Sequence, residues 1–525
     1  MSNGAYFDGK RLFSAGWVFF CPFFVRKIHK NCQKIMGGFE RFNKEETMAE
    51  LHEECGVFGI YSPVDARVAD ICYYGLFALQ HRGQESCGIV VNSDGNFTVH
   101  KDLGLLTDAF HRENLDKYPL GNISVGHVRY GTTGGTNRAN TQPIVINHMK
   151  GKMALAHNGN LSNALELRTR LELGGALFHG TSDTEIIAYI VAQQRLKTPS
   201  IEMAVSKAMD YLEGAFSVVL MSATKLIALR DPHGFRPLCM GVREDGSTVF
   251  ASESCALGAV GAKFLRDLLP GEIVTVDETG VRSDRSHCGK TKKTMCIFEY
   301  IYFARSDSVM DGVGVHEARK KAGMLLAKAH PVEADLVVGV PDSGLDAALG
   351  YAEAARIPFG LGFLKNRYIG RTFISPGQGN RMDLVRMKLS PIVSEVKGKR
   401  IVLIDDSIVR GTTSGQIVNL LRSAGAREVH MRISSPPFLN PCYYGTDIDS
   451  RDHLIACQHS VAEIRDMIGA DSLGYLPIED LPRLIGSEDF CSACFSGNYP
   501  TRIPANTAKD KFEAPLSQRE KEREK

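Results

Sequence analysis

Apolar residues in the first half of the chain recur with two different periods. Short runs rich in β-branched and aromatic residues (ISVGHVRYG, KMALAHNGN and FSVVLMSA) predict strands at residues 123–131, 152–160 and 216–223. The segments EIIAYIVAQQ and MAVSKAMDYL predict helices at residues 185–194 and 203–212. Because strands and helices alternate from residue 55 to about residue 285, we expect a layered α/β domain there.

The second half contains two apolar strands, each followed by a polar turn and a helix. The first is ADLVVGVPDSG at residues 334–344, and the second is IVLI, which ends in Asp405 and Asp406 before a helix opened by GTTS. Strand–turn–helix units are typical of a parallel sheet. The polar stretch DRSHCGKTKK separates the halves, so we predict domains at residues 55–288 and 289–500.

The two ends of the chain fit neither domain. Leu12 to Val25 is apolar and superficially resembles a signal peptide, but it lacks a small-residue cleavage site and a basic run follows it. Codons for Lys44, Glu45 and Glu46 can form a bacterial ribosome-binding sequence just before Met48, so one interpretation is that residues 1–47 are not translated. The other is a genuine N-terminal extension. The charged tail, residues 501–525, is predicted to be disordered.

Composition narrows the class of protein. The chain is 43% hydrophobic and 23% charged, close to globular averages. Its net charge of +2 gives no reason to expect nucleic acid or a membrane as a partner. The 13 cysteines are scattered rather than arranged as a secreted disulfide framework. We therefore expect reduced thiols and a cytoplasmic location.

Cys55 follows a short segment, MAELHEE at residues 48–54, that has the length of a propeptide. Its removal would give Cys55 a free α-amino group. An α-amine has an ordinary pKa of about 7.7–8.0, so part of it is a free base at neutral pH. Such an amine can activate the thiol of its own residue. A buried structural cysteine is the alternative interpretation.

Four motifs follow Cys55: QHRGQESCGI, GHVRYGTTG, HNGNLSN and SDTE. Their order resembles that of the class II glutamine amidotransferases, which have an αββα N-terminal-nucleophile hydrolase fold. The resemblance implies that Cys55 is the nucleophile. It implies that Arg129 holds the glutamine α-carboxylate and Asp183 the α-ammonium. Asn158 and Gly159 would form the oxyanion hole.

Each motif also has a structural interpretation. HNGN could be a turn, because Asn-Gly is a strong turn dipeptide. Arg129 could belong to a surface ion pair. SDTE is a capping box in which Ser182 caps a helix and Glu185 returns to its backbone, and this can hold together with the binding role of Asp183.

The IDDSIVRGTTS segment resembles the binding motif of the type I phosphoribosyltransferases. The paired acids would bind ribose hydroxyls, and the helix N-terminus would bind a phosphate. Mg²⁺ would complete the site at Ser343, Asp405 and Asp406. The alternative is two surface carboxylates before an ordinary capped helix. The resemblance assigns these residues to phosphoribosyl pyrophosphate: Asp405, Asp406, Ser407, Arg410, Gly411, Thr412, Thr413, Ser414, Lys365 and Arg367.

A basic, glycine-rich segment spans residues 365–391, between the two strand–turn–helix units. As a lid it would close over pyrophosphate and exclude water from the reacting carbon. A solvated loop with incidental charge is the alternative. Its basic residues are Lys365, Arg367, Arg371, Arg381, Arg386 and Lys388.

Taken in order, all these motifs resemble the amidophosphoribosyltransferase family from about Met48 to Tyr499. Members make 5-phosphoribosylamine from glutamine and phosphoribosyl pyrophosphate, the first step of purine synthesis. The resemblance implies a homotetramer that purine nucleotides inhibit. It also implies the iron–sulfur, propeptide-bearing branch, with a [4Fe–4S] cluster on Cys296, Cys442, Cys491 and Cys494. Zinc, or isolated core cysteines, are the alternatives.

Two other functions share part of this pattern. An amidotransferase that aminates a sugar phosphate would have the same first half but a sugar-isomerase second half, which IDDSIVRGTTS argues against. A phosphoribosyl-binding regulator would keep the parallel sheet but lack a glutaminase. The joint presence of Cys55, Arg129, Asn158 and Asp183 argues against that function.

Overall fold

The computed structural model describes residues 55–130, 138–366, 388–446, 448 and 450–504. The expected extension (1–47), the expected propeptide (48–54) and most of the expected tail lie outside the described residues. Arg367 and most of the expected lid lie outside them as well.

Two antiparallel sheets form the first half. Their strands are β1 Gly56–Ala66, β2 Ser86–Ser93, β3 Asn96–Leu103, β4 Gly121–Arg129, β5 Ile144–His148, β6 Gly151–Leu161, β7 Gly214–Ser222, β8 Leu226–Arg230, β9 Cys239–Arg243, β10 Thr248–Ala251, β11 Ala262–Asp267, β12 Ile273–Asp277 and β13 Gly280–Asp284. The first sheet has the strand order β11-β9-β10-β1-β4-β2-β3 and the second the order β13-β12-β8-β7-β6-β5.

The sheets pack face to face, and helices cover both outer faces. Val57 and Val125 of the first sheet meet Ala156 and Val219 of the second in a shared apolar core. This arrangement confirms the predicted αββα layers. The helices are α1 Val68–Ala78, α2 Leu106–Ala109, α3 Arg112–Asp116 and α7 Ser254–Ala259 on the side of the first sheet, and α4 Ala164–Leu173, α5 Asp183–Lys197 and α6 Ile201–Met209 on the side of the second.

A four-stranded parallel sheet forms the centre of the second half. Its order is β17 (Leu336–Gly339), β20 (Arg400–Asp405), β21 (Glu428–Ile433) and β22 (Ser472–Tyr475). Alternate residues of β17 and β20 belong to two different apolar cores, so both faces of these strands are covered. The helices that cover them are α8 Val315–Ala329 and α9 Gly344–Ala355 on one face, and α11 Thr412–Ser423 and α13 Val461–Ile468 on the other.

Shorter elements complete the second half. A π-helical turn spans Glu299–Phe303. Within the part of the chain described here, no helix has the length and apolar character needed to cross a membrane. The remaining strands are β14 Met295–Cys296, β15 Val309–Met310, β16 Val313–Gly314, β18 Phe363–Lys365, β19 Leu389–Pro391 and β23 Phe490–Cys491, and the remaining helices are α10 Val393–Val396, α12 Ile455–Gln458, α14 Leu481–Ile485 and α15 Ala493–Ser496.

Candidate active sites in the two halves

Cys55 lies at the start of β1, beside the end of β4. Gly56 pairs with Val128 in antiparallel register, which brings Cys55 next to Tyr130. The Cys55 thiol donates a hydrogen bond to the Tyr130 carbonyl at 3.3 Å. The side chain is 6% exposed, so it is nearly enclosed.

Arg129 ends β4, and it is buried rather than part of a surface ion pair. Its side chain is almost inaccessible, and its Nη1 lies 3.8 Å from Glu85 Oε2. Two residues earlier, His127 Nε2 contacts the His157 carbonyl at 3.0 Å and so joins the two sheets. Burial lowers the pKa of His127 to about 3, so this imidazole is neutral. Arg129 is thereby placed near the strand that carries Asn158.

Asn158 and Gly159 lie inside β6, toward its C-terminal end, where they pair with Ser217 and Phe216 of β7. The turn interpretation of HNGN is therefore wrong. Asn158 is fully buried, and its Oδ1 and Nδ2 have no hydrogen-bond partner among the described residues. Gly159 has φ +139°, and a Cβ there would lie 2.2 Å from the Ala215 carbonyl oxygen. Glycine is thus required at this position.

Asp183 is the first residue of α5 and is buried. Its Oδ2 accepts a hydrogen bond from the Leu161 N–H at 2.9 Å. Its Oδ1 lies 3.5 Å from His157 Nδ1. Since Leu161 and His157 belong to β6, these contacts fix the carboxylate against the strand that carries Asn158.

The capping box predicted for SDTE forms only in part. Ser182 caps α5, and its hydroxyl accepts from the Thr184 N–H at 3.3 Å. Glu185, however, accepts from the backbone N–H groups of His179 and Gly180. The expected return of Glu185 to Ser182 is therefore wrong, because the preceding loop folds back and supplies closer donors.

Asp405 and Asp406 stand at the carboxyl end of β20, in the second half. Asp406 Oδ2 accepts a hydrogen bond from Ser343 Oγ at 2.5 Å, and Asp406 Oδ1 accepts from Ser407 Oγ at 2.5 Å. Burial and the neighbouring Asp406 raise the pKa of Asp405 well above its ordinary range. Ser343, Asp405 and Asp406 thus form a buried, oxygen-rich group in which two carboxyl groups lie side by side, and such a group suits a hard cation such as Mg²⁺.

The turn after Asp406 leads directly into α11. Gly411 caps this helix with φ +80°, in the left-handed region that favours glycine. Thr412, Thr413 and Ser414 form the first helical turn, where backbone N–H groups point away from the helix and can bind an anion. Arg410 precedes this turn and is partly buried.

Lys365 ends β18, at the edge of the expected lid. Its Nζ lies 2.5 Å from Asp342 Oδ2, one residue from Ser343. Because β18 pairs with β19 in antiparallel register, Lys365 opposes Leu389. The two ends of the segment between these strands therefore meet close to the acidic group.

The structure brings the four candidate cluster cysteines close together. Cys296 pairs with Cys491 in parallel register. Burial raises the pKa of the Cys494 thiol, and the charges of Cys296, Cys442 and Cys491 raise it further. The Tyr444 N–H donates to Cys442 Sγ at 3.4 Å. Over the described ranges, no group of three or more His, Cys, Asp or Glu side chains is arranged to hold a metal ion.

Comparisons with known proteins agree with this geometry. A family model described as a glutamine amidotransferase domain matches residues 130–259. The amidophosphoribosyltransferase of Methanocaldococcus jannaschii is 47% identical over 463 residues, which cover 86% of this chain and 98% of that protein. The Bacillus subtilis amidophosphoribosyltransferase is 48% identical over 464 residues, which cover 87% and 96%. The chain belongs to the amidophosphoribosyltransferase family.

Solved structures give the same result. The glutamine phosphoribosylpyrophosphate amidotransferase from B. subtilis, complexed with ADP and GMP, matches with a TM-score of 0.81 and 46% identity over 87% of this chain and 100% of that one. The structure of the allosteric regulatory enzyme of purine biosynthesis matches with a TM-score of 0.82 and 47% identity, over 88% of this chain and 100% of that one. These whole-length matches exclude a sugar-isomerase second half.

Some residues at the first site were missed by sequence analysis. His157 contacts Asp183, and its position in the motif HNGNLSN does not predict that contact. Arg82 lies in the quoted motif QHRGQESCGI, yet no role was assigned to it. Its Nε donates to the Cys55 carbonyl at 3.0 Å, and its other nitrogens contact Glu253 and Glu299. Nothing in the local sequence predicts these partners, because they lie 171 and 217 residues away.

Proposed function

We propose that this chain hydrolyses glutamine at Cys55 and transfers the ammonia to C1 of phosphoribosyl pyrophosphate. The products are 5-phosphoribosylamine, glutamate and pyrophosphate, and the reaction opens purine (IMP) synthesis. The observation that carries the proposal is the presence of two complementary sites in one chain. One has a buried thiol and a buried amide with no described partner, and the other has paired acids before a helix whose N-terminal N–H groups can bind a phosphate.

Glutamine hydrolysis uses the groups on β1, β4, β6 and α5. Arg129 binds the substrate α-carboxylate and Asp183 its α-ammonium, so the side-chain amide reaches Cys55. The freed α-amine of Cys55 takes the thiol proton, and the thiolate attacks the amide carbon. The Asn158 Nδ2 and the Gly159 N–H then stabilise the oxyanion. The intermediate collapses as the Cys55 α-ammonium returns its proton to the leaving nitrogen, which departs as ammonia, and water then hydrolyses the thioester to release glutamate.

Phosphoribosyl transfer uses the carboxyl end of the parallel sheet. Asp405 and Asp406 bind the ribose hydroxyls, and the turn from Ser407 to Ser414 holds the 5-phosphate on backbone N–H groups. Ser343 and the two acids are the residues that would hold Mg²⁺, which would neutralise the leaving pyrophosphate. Lys365 and Arg367 supply further positive charge at the pyrophosphate.

Proposed domain limits follow from these roles. Residues 48–54 are a propeptide whose loss frees the Cys55 amine. Residues 55–288 carry the glutaminase and residues 289–500 the phosphoribosyltransferase, with residues 501–525 as a tail. Residues 1–47 are an extension, and mapping the peptides of the native protein tests whether it is translated. Abundant peptides from before Met48 would refute the interpretation that translation starts there.

Four cysteines are proposed to hold a [4Fe–4S] cluster in the second half. Support comes from the burial of Cys296 and Cys491, from the mutual electrostatic influence of the four thiols and from the N–H group of Tyr444, which donates to Cys442 Sγ. A single tetrahedral zinc with Zn–S distances of about 2.3 Å would require much tighter convergence of the four thiols. Iron and acid-labile sulfide in anaerobically purified protein would support the cluster. Zinc in a one-to-one ratio to the protein would instead mean that the four cysteines hold zinc.

Regulation and assembly are proposed from the relatives. Two purine nucleotides, ADP and GMP, are bound in the B. subtilis structure. We infer that purine nucleotides inhibit this enzyme by occupying the phosphoribosyl site, that it forms a homotetramer and that it works in the cytoplasm. Inhibition competitive with phosphoribosyl pyrophosphate, and a tetramer mass in light scattering, are the expected results.

The central experiment follows both half-reactions together. Protein purified anaerobically is incubated with glutamine, Mg²⁺ and phosphoribosyl pyrophosphate, and glutamate and pyrophosphate are measured in parallel. Equal release of both products is expected. Cys55→Ala should abolish glutamate release but keep pyrophosphate release when ammonia is supplied. Glutamate without pyrophosphate would refute the proposed acceptor.

A further inference from the structure

If the proposed function is correct, Cys55 is the first residue of the mature chain, and its position depends on few contacts. Once the preceding residues are removed, it is attached to the protein through its carbonyl side alone. The first backbone pair of β1 begins one residue later, at Gly56. Contacts to the thiol and to the carbonyl oxygen of Cys55 therefore decide where its sulfur and its amine lie.

Arg82 supplies the contact to the carbonyl oxygen. It sits in a 3₁₀ turn, Gln80–Arg82, directly after α1, and it is fully buried. Its Nε donates to the Cys55 carbonyl at 3.0 Å. The rest of the guanidinium is held by two carboxylates, with Nη1 2.7 Å from Glu253 Oε1 and Nη2 2.7 Å from Glu299 Oε1.

Glu299 reaches Arg82 from the other half of the chain. It opens the π-helical turn Glu299–Phe303 and is fully buried. It also accepts from Arg236 Nη1 at 3.1 Å, and Arg236 Nη2 in turn donates to the Tyr444 carbonyl at 2.8 Å. Removing such ion pairs from water is costly, so a gain in stability is a poor explanation for their presence in the core.

We propose that Arg82 is a positioning residue for the Cys55 nucleophile and that Glu299 fixes Arg82 from the phosphoribosyltransferase half. The guanidinium fork is suited to this, because its rigid geometry serves one carbonyl and two carboxylates at once. The position of the nucleophile thus depends, through Arg82, on Glu299 of the other half. A displacement of the sulfur by about 1 Å is enough to lower turnover about 100-fold.

The test compares two buried arginines that both bridge the halves. Arg82→Lys keeps the positive charge but cannot serve all three partners. Arg230→Lys is the matched control: Arg230 is equally buried, pairs with Asp311 at 2.9 Å, and is not part of the glutaminase site. We expect Arg82→Lys to lower kcat for glutamine about 10–100-fold with KM changed less than about threefold. Arg230→Lys should keep kcat, and both should keep ammonia-dependent activity.

Glu299→Gln and Glu299→Asp test the second link and keep the proposal falsifiable if Arg82→Lys does not fold. Gln should lower kcat for glutamine, and Asp should restore it in part. Equal losses in Arg82→Lys and Arg230→Lys, parallel loss of the ammonia-dependent reaction, or a wild-type kcat in Glu299→Gln would overturn the proposal.

Cys55→Ala separates this idea from the proposed function. Glutamine hydrolysis retained in Cys55→Ala overturns the nucleophile itself and the role of Arg82 with it. Loss of hydrolysis in Cys55→Ala combined with full activity in Arg82→Lys overturns the role of Arg82 alone.

Discussion

Asn158 offers a sharp test of the glutaminase site, because its function and its stability should respond in opposite directions. Both polar atoms of its side-chain amide are buried and have no hydrogen-bond partner among the described residues. An unsatisfied buried polar group costs about 1–3 kcal/mol of stability. Losing one oxyanion donor costs about 10²–10³ in kcat, equivalent to about 2.7–4 kcal/mol. Asn158→Leu keeps the volume and removes the amide.

We therefore expect Asn158→Leu to lower kcat for glutamine about 10²–10³-fold while the free energy of unfolding stays equal or rises by about 1 kcal/mol. Glutamate release gives kcat and KM, and urea denaturation gives stability. Ammonia-dependent pyrophosphate release should be unchanged.

A matched control lies two residues along the same strand. Asn160 Nδ2 donates to the Tyr443 carbonyl at 2.9 Å, so Asn160→Leu removes an amide that is already bonded. It should lose stability but keep most of kcat. The reasoning on Asn158 is refuted if Asn158→Leu turns over glutamine within about threefold of wild type, or if it loses as much stability as Asn160→Leu.

Three further predictions concern charge. Arg129→Lys should raise KM for glutamine at least about tenfold with little change in kcat, because an ammonium cannot form the bidentate hydrogen bonds that a guanidinium makes to a carboxylate. Initial rates of glutamate release over a range of glutamine concentrations measure this. Asp405→Asn should weaken phosphoribosyl pyrophosphate binding at least about tenfold in calorimetry, while alkylation of Cys55 by iodoacetamide keeps its wild-type rate. Burial and the neighbouring Asp311 raise the pKa of Asp267 to about 6 from 3.8. Its contribution to the free energy of unfolding is therefore fully present below pH 3.8, where the carboxyl is protonated in both states, and is lost as the pH rises through about 6. Asp267→Asn should thus exceed wild-type stability at pH 8 by up to about 3 kcal/mol and match it at pH 4, as measured by denaturant unfolding.

Much of the fold follows from local sequence pattern. The strands that include Arg129 and Asn158 and the helix that begins at Asp183 were predicted from periodicity, and the structure confirms them. The same holds for the strand before Asp405 and the helix that follows Gly411. In each case a run of apolar residues with a constant period predicts the element, and the polar residues that flank the run in sequence mark where it ends.

Contacts that depend on long-range register could not be predicted in this way. For HNGN the local sequence allowed both the strand predicted at residues 152–160 and a turn, and only the pairing of β6 with β7 decides in favour of the strand. Glu185 is in capping-box spacing, but a loop brought back by tertiary packing offers it other donors. Arg82 and Glu299 meet only because the two halves pack together.

The two sites differ in how their groups are supported, and this difference bears on control. The candidate glutaminase groups lie on strands and at a helix start, packed between sheets, so their positions are fixed before substrate arrives. The candidate phosphoribosyl groups lie at the carboxyl end of β20, in the turn that follows it and in the first turn of α11, and Lys365 stands where the expected lid begins. Wasteful release of ammonia is avoided if the phosphoribosyl site governs the glutaminase site. Glu299 gives that dependence a physical route, because a change in the second half would reach the Cys55 carbonyl through a single side chain, Arg82.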